Sequence, residues 1–143
     1  IEKKDGEFRC FDPKEGGWFL TNDLVGLEGR NLRILGRADR QVKILGELVD
    51  LDEVEKKWRD ELGCPVVILK KRSERRGVTL WLLVQGEPCE INLLNRKMPG
   101  LERLSGWAFL DNLPRGPLGK IDRRELEKIH VEYDCAEGAS GFN

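Results

Sequence analysis

Two apolar runs joined by a charged segment constrain the fold of this chain more than any other feature. They are VVILK at 66–70 and VTLWLLV at 78–84, with KRSERRG between them. Runs of this length that are rich in Val, Leu and Ile favour strands, and a short polar connection favours antiparallel pairing. The centre of the chain is therefore predicted to be a long β-hairpin.

A helix is predicted directly before this hairpin, in DLDEVEKKWRDEL at 50–62. Asp50 can cap its start, and Glu53 follows three residues later, as in a capping box. The apolar residues at helical spacing, which predict one buried face, are Leu51, Val54, Trp58 and Leu62.

Shorter elements are predicted on both sides. The sequence indicates strands at 6–12, 41–45 and 107–113, a hairpin over 24–36, and helices at 91–98 and 122–133. Leu32 and Ile34 alternate with Arg33 in the hairpin, so one of its faces is expected to be buried. The predicted class is α+β: a small, mainly antiparallel sheet packed with helices in two layers, preceded by a short β-hairpin region.

Charge and hydropathy exclude several classes of function. The 143 residues carry 25 Lys and Arg against 26 Asp and Glu, so no global attraction to nucleic acid is expected. The basic segment KKRSERR at 70–76 has no interleaved aromatic residues, and we interpret it as a solvated hairpin tip. No stretch approaches the ~20 apolar residues of a membrane span, and the N-terminus lacks the apolar core of a signal peptide, which predicts a cytoplasmic protein.

The cysteines do not have the spacing of a metal site, and no metal ligand is assigned. They form no C-x-x-C pair, and we expect free thiols in a reducing compartment. These cysteines and the single histidine are Cys10, Cys64, Cys89, Cys135 and His130.

A glycine-rich segment near the end, NLPRGPLGKIDRREL at 112–126, superficially resembles a phosphate-binding P-loop. The P-loop pattern G-x-x-x-x-G-K-[ST] requires glycine at 114 and Ser or Thr at 121. Those positions hold Pro114 and Ile121, and two prolines stiffen the loop. The segment is therefore not a P-loop, and Lys120 is either a surface lysine in a turn or a lysine presented to a reaction centre.

Two interpretations are also open for two polar segments that follow predicted strands. These segments are TND at 21–23 and GRADRQVK at 36–43. An aspartate at the end of a strand can accept hydrogen bonds from both ribose hydroxyls of a nucleotide, and a nearby arginine can reinforce the contact. The same residue types are common as turn formers and surface charges.

Three motifs in this order resemble the acyl-adenylating enzymes, which are the acyl-CoA and aryl-CoA synthetases, the adenylation domains of nonribosomal peptide synthetases, and the luciferases. GWFLTND at 17–23 is similar to their G-W-x-x-T-G-D, and GRADRQVKILG at 36–46 to their G-R-x-D-x-x-x-K-x-x-G. PRGPLGKIDRREL at 114–126 is similar to their terminal P-x-x-x-x-G-K-[IV]-x-R-x-x-L.

The resemblance implies a two-step ligase. A carboxylic acid attacks the α-phosphate of ATP, with Mg²⁺ bound mainly by a large N-terminal domain, and a thiol such as coenzyme A then displaces AMP. By position, Asp23 matches the family's ribose-binding aspartate, Arg37 its arginine near the ribose, and Lys120 its adenylating lysine. Some relatives are switched off by acylation of the lysine that Lys120 matches.

The resemblance also implies a small domain that rotates between the two steps. Asp39 matches the family's hinge, and Lys43 and Gly46 match the face that swings in for thioester formation. Asn22 stands where the family has glycine, and Leu45 and the residues after Gly46 replace its usual basic and aromatic residues. The short span from Lys43 to Lys120 slightly favours the o-succinylbenzoate type of aryl-CoA ligase.

The family's large domain is not within these residues, and the sequence begins without methionine. We therefore expect a piece of a longer ligase that is inactive alone, whose partners are that large domain, a carboxylic acid, ATP and coenzyme A. Its expected divisions are a crossover segment at 1–38, a mobile small domain at 39–133 and a flexible tail at 134–143. The alternatives are a carrier-protein-dependent adenylation domain and a non-catalytic interaction module that retains the fold.

Overall fold

The computed structural model of the chain describes residues 2–4, 7–75, 77–129 and 133–135. These residues form two compact units, one up to Gln41 and one from Val42 onward.

The first unit is built from antiparallel strands. A three-stranded sheet has the order β1 (Glu2–Lys4), β2 (Glu7–Asp12) and β3 (Gly17–Leu20), and β4 (Asp23–Glu28) pairs with β5 (Asn31–Arg37) in a two-stranded ribbon. The ribbon is the hairpin predicted over 24–36. The burial predicted for one of its faces is wrong, since Leu32 is 45% and Ile34 72% exposed. A two-stranded ribbon has no second layer of its own on which to bury a face.

The second unit holds the main sheet, whose strand order is β11-β10-β9-β8. The strands are β8 (Val66–Ser73), β9 (Gly77–Gln85), β10 (Leu104–Leu110) and β11 (Asp134–Cys135). The long hairpin predicted at the centre of the chain is β8 and β9, which pair antiparallel. β10 joins β9 in parallel, and β11 joins β10 antiparallel. The expected α+β class, with a small, mainly antiparallel sheet after a hairpin region, is confirmed.

A short ribbon and three helices complete this part of the chain. The ribbon consists of β6 (Gln41–Ile44) and β7 (Glu47–Asp50), and the helices are α1 (Leu51–Leu62), α2 (Asn92–Lys97) and α3 (Arg123–Lys128). The helix predicted over 122–133 therefore ends earlier than expected, at Lys128, and 130–132 lie outside the described residues.

The start and end of α1 follow from local signals. Asp50 Oδ1 accepts hydrogen bonds from the backbone N–H groups of Asp52 and Glu53, at 2.9 and 3.4 Å, which satisfies two of the free donors at the helix start. Gly63 ends the helix in the left-handed conformation, at φ +67°. The predicted cap at Asp50 is therefore confirmed.

Both faces of the central strands are buried, which explains their uninterrupted apolar sequence. Ile68 packs in one cluster with residues of α1 that include Trp58, whereas Val67 and Leu69 pack in another with Leu126 of α3. The strands therefore fix α1 and α3 to one body.

Of the tail expected at 134–143, the structure describes Asp134 and Cys135, which pair with Trp107 and Gly106 of β10. Beside them, the ring of Tyr133 meets Trp81 edge-on at a centroid distance of 5.0 Å. Among the described residues, no helix is long and apolar enough to cross a membrane.

Candidate functional site

The carboxylate of Asp23 lies at the start of β4, directly opposite Arg37 of β5 in the ribbon register. Arg37 Nη1 is 3.6 Å from Asp23 Oδ1, and the same guanidinium donates two hydrogen bonds of 3.0 Å to the carboxylate of Asp39. The bidentate bond from Arg37 lowers the pKa of Asp39 below its ordinary value, although burial opposes it. Three residues that the sequence singled out separately therefore form one cluster.

The side chain of Asp23 is one-third exposed, so it has room to accept further hydrogen bonds. Its backbone is held, since its N–H donates to Thr21 Oγ1 at 3.2 Å and the carbonyl of Asn22 accepts from the N–H of Ala38 at 2.7 Å. A carboxylate on a fixed backbone beside a guanidinium is suited to bind a vicinal diol.

Asn22 adopts the left-handed conformation, with φ +61°. This is the backbone that glycine adopts most readily, and asparagine is among the residues that tolerate it best. Asn22 therefore holds a backbone conformation that glycine could also adopt in front of Asp23.

Substitutions at Asn22 should separate backbone conformation from side-chain chemistry. Asn22→Gly should leave the free energy of unfolding within about 0.5 kcal/mol, because the left-handed conformation costs glycine nothing. Asn22→Val should cost about 1–2 kcal/mol, because a β-branched residue is strained there. Urea denaturation of both variants checks this, and a valine variant as stable as the glycine variant would contradict it.

The loop between β6 and β7 is the two-residue turn Leu45-Gly46. Both residues have positive φ, +51° and +83°, as in a type I′ hairpin turn. Leucine is an unusual first residue for such a turn, and its side chain is 83% exposed. Lys43 lies two positions before the turn, exposed between the buried Val42 and Ile44.

Lys120 lies in a compact hairpin rather than in an open loop. We refer to residues 115–121 as the lysine hairpin. The N–H of Gly116 donates to the carbonyl of Lys120 at 2.8 Å, and that of Gly119 to the carbonyl of Gly116 at 3.0 Å. Arg115 pairs with Ile121, and its Nη1 donates to the carbonyl of Gly119 at 2.9 Å. Only the backbone of Lys120 takes part in these bonds, and its side chain is exposed.

The hairpin leads directly into α3. Asp122 accepts hydrogen bonds of 3.1 Å from the N–H groups of Arg124 and Glu125, which is the cap predicted from the sequence. Its own N–H donates to the carbonyl of Pro114 at 2.8 Å and closes the base of the hairpin.

The sequence predictions did not include an ion pair between the buried Glu55 of α1 and the partly exposed Arg123 of α3. Arg123 Nη2 lies 2.8 Å from Glu55 Oε1, and the side chain of Glu55 is 5% exposed. The sequence did indicate that Glu55 is buried, because it falls at helical spacing on the same face as Leu51 and Trp58. A charge on an apolar face needs a buried partner.

The candidate residues are divided between the two units. Asp23, Arg37 and Asp39 belong to the first unit, and the division follows two residues after Asp39. The second unit contains Lys43, Gly46 and the lysine hairpin.

The four cysteines are free thiols, as expected, and burial raises the pKa of Cys89. In the described part of the chain, no group of three or more His, Cys, Asp and Glu side chains could hold a metal ion.

Curated sequences similar to this chain are peptide synthetases. It is 35% identical over 127 residues to gramicidin S synthase 2 of Brevibacillus brevis, a match that covers 83% of this chain and 3% of that protein. It is 34% identical over 118 residues to phosphinothricin tripeptide synthetase PhsC of Streptomyces viridochromogenes, a match that covers 76% of this chain and 11% of that protein. The chain therefore spans a small part of the relatives it matches. No family model matches it.

Solved structures with the same fold are ligases. The o-succinylbenzoate CoA synthetase of Bacillus subtilis, in complex with an acyl-adenylate intermediate, has a TM-score of 0.62 and 21% identity over 80% of this chain and 25% of that one. Coronafacic acid ligase of Pectobacterium brasiliense has a TM-score of 0.56 and 25% identity over 82% of this chain and 24% of that one.

Proposed function

The chain is related in sequence and fold to the C-terminal domain of the acyl-adenylate-forming ligases, and we propose that it is that part of an enzyme that activates a carboxylic acid with ATP and passes the acyl group to a thiol. The observation that carries the proposal is the lysine hairpin. It presents the exposed side chain of Lys120 from a turn held by backbone hydrogen bonds, within the family's terminal motif.

Lys120 is the residue that we propose acts in adenylation. A carboxylate that approaches the α-phosphate of ATP concentrates negative charge, and an ammonium group on a long side chain can bridge the two reacting groups. One such contact at about 4 Å, with an effective dielectric constant of ~20, corresponds to ~4 kcal/mol. The hydrogen bonds of the hairpin fix the backbone from which the side chain of Lys120 extends.

The Asp23 cluster is suited to the nucleotide. The carboxylate of Asp23 can accept hydrogen bonds from both ribose hydroxyls, and Arg37 beside it can reinforce the contact. Asp39 is proposed as the hinge, since it shares the guanidinium of Arg37 and lies two residues before the division between the units. Mg²⁺ would be bound mainly by the large N-terminal domain of the proposed enzyme.

The thiol that receives the acyl group has two candidates. A thiol on a carrier protein is favoured by the identities of 35% and 34% to the two peptide synthetases. Coenzyme A remains the second candidate because of the short span from Lys43 to Lys120, which led us to expect an o-succinylbenzoate type of ligase. In either case, Gly46 and Lys43 form the proposed thiol face, and the type I′ turn holds Gly46 at a φ of +83°.

Pyrophosphate exchange by the full-length protein tests the proposed function. We expect exchange with at least one member of a panel of carboxylic and amino acids, and none from the 143-residue chain alone. Supplying either coenzyme A or a phosphopantetheinylated carrier protein then identifies the acceptor. Absence of exchange with every acid would contradict the proposed activity and favour the interaction module.

Lys43→Ala should impair the second step selectively. Thioester formation from a supplied acyl-adenylate should fall up to about fivefold, as expected for loss of one exposed charged contact, with adenylation changed less than about twofold. Because Lys43 is exposed between two buried residues, its truncation should not disturb the core. Lys70→Ala, at an exposed strand position, is the matched control. Equal losses in both steps would contradict this role.

A further inference from the structure

An ion pair between the buried Glu55 and the partly exposed Arg123 lies at the exit of the lysine hairpin. Arg123 is the first residue of α3 and follows Lys120 by three positions. Its Nη2 donates a hydrogen bond of 2.8 Å to Glu55 Oε1. This single charge-assisted hydrogen bond links the first residue of α3 to a carboxylate in the core, so the contact restrains the start of α3.

Glu55 itself is a fixed anchor. Its second oxygen, Oε2, accepts a hydrogen bond of 3.1 Å from the backbone N–H of Ile68 in β8. β8 is the end strand of the described sheet, so this bond uses a donor that has no neighbouring strand on that side. Glu55 also belongs to α1, next to the fully buried Val54 and one turn from the fully buried Trp58. The carboxylate is therefore held by the most buried part of the unit.

The entry to the lysine hairpin has a different anchor. The buried residue Leu113 donates its N–H to Gln85 Oε1 at 3.1 Å, at the end of β9. On the exit side, Arg123 and the buried Leu126 connect the hairpin to the core. The hydrogen bonds within the hairpin mostly join its own backbone groups, and Ile121 packs against the core cluster of Leu113 and Leu126. The orientation of the hairpin on the body therefore depends on Ile121 together with these anchors.

We propose that Arg123 is a positioning residue that holds the lysine hairpin in one orientation through Glu55, and thereby places the ammonium group of Lys120. Arg123 does not touch the reacting groups. The pair ties the exit of the hairpin to α1, the helix that follows β7. The consequence for catalysis rests on the function proposed above, whereas the restraint on the hairpin does not.

Amide hydrogen exchange of the 143-residue chain, measured by NMR, tests the restraint. In Arg123→Ala, the amides of Gly116 and Asp122 should exchange at least about tenfold faster, while the amides of β9 keep their protection. Arg124→Ala, an exposed neighbour on the same helix, is the matched control and should change neither. Unchanged exchange at Gly116 and Asp122, or equal acceleration throughout β9, would overturn the proposal.

Adenylation by the full-length protein tests whether this restraint places the ammonium group of Lys120 for catalysis. Arg123→Ala should lower kcat for pyrophosphate exchange about tenfold with KM for ATP unchanged, because a misplaced ammonium group affects the transition state more than substrate binding. Arg123→Lys should recover part of the rate, and added guanidinium ion at millimolar concentration should partly rescue the alanine variant. A changed KM with unchanged kcat, or no rescue by either route, would overturn positioning. Faster hairpin exchange with undiminished adenylation would overturn the positioning role of Arg123 in catalysis, whereas the role of Lys120 itself is tested by Lys120→Ala.

Discussion

Lys120→Ala in the full-length protein should lower the rate of adenylation about 10²–10³-fold, the usual cost of removing one preorganised donor from a charged transition state. The fold should be retained, because the backbone of Lys120 closes the lysine hairpin and its side chain is exposed. The second step should be affected much less, since the ammonium group acts when the carboxylate meets the α-phosphate. Pyrophosphate exchange measures the first step, and thioester formation from a supplied acyl-adenylate measures the second.

Two controls make the Lys120 result specific. Lys128→Ala removes an exposed lysine from the adjacent helix and should leave both steps unchanged. Lys43→Ala should give the opposite pattern, with thioester formation reduced and adenylation retained. If Lys120→Ala adenylates normally, or slows both steps equally, then Lys120 has no selective role in adenylation.

Local chemistry predicted the helix starts and the central hairpin. Asp50 and Asp122 both cap helices, because the short carboxylate reaches the free N–H groups of the following turn without help from distant residues. The hairpin of β8 and β9 was equally predictable, because two long apolar runs joined by a short charged segment favour two paired strands over other structures. Signals of this kind lie within about twenty residues of one another.

Contacts across long stretches of chain were not predictable. Glu55 and Arg123 are 68 positions apart, and neither residue identifies the other from sequence. The burial of Glu55 could be inferred from its place on the apolar face of α1, but its partner depends on where α3 packs. β11 could not be predicted from hydrophobic periodicity either, because its two residues, Asp134 and Cys135, are exposed and too few to show an alternating pattern.

The motifs identified the candidate residues but not their arrangement. The ribbon register brings Asp23 opposite Arg37, and the turn after β5 brings Asp39 to the same guanidinium. Asn22 is a departure from the family in residue type, yet its positive φ is a conformation that glycine and asparagine both adopt readily. The φ angle of Asn22 therefore explains why asparagine is compatible with the fold at a position where the family has glycine.

Gly106→Ala should be among the most destabilising single changes in the second unit, although alanine adds one methyl group. A Cβ at Gly106 would lie 2.2 Å from Trp81 Cζ3 and 2.8 Å from the backbone carbonyl oxygen of Asp134. Trp81 is 2% exposed, its Nε1 donates to Thr79 Oγ1 at 2.9 Å, and Tyr133 packs against its ring. The indole therefore has no free space into which to move.

The added methyl group must consequently displace either a packed aromatic ring or the pairing of β10 with β11. Overpacking of this kind costs about 3 kcal/mol, which corresponds to a fall in Tm of roughly 10–20 °C for a unit of about 100 residues. Gly100→Ala is the matched control, because it adds the same methyl group where nothing lies within 4 Å. Thermal unfolding of both variants followed by tryptophan fluorescence measures the difference. Equal Tm values for the two variants would mean that β11 can move away from β10 with little loss of stability. The pairing of Asp134 and Cys135 would then contribute little to the stability of the sheet.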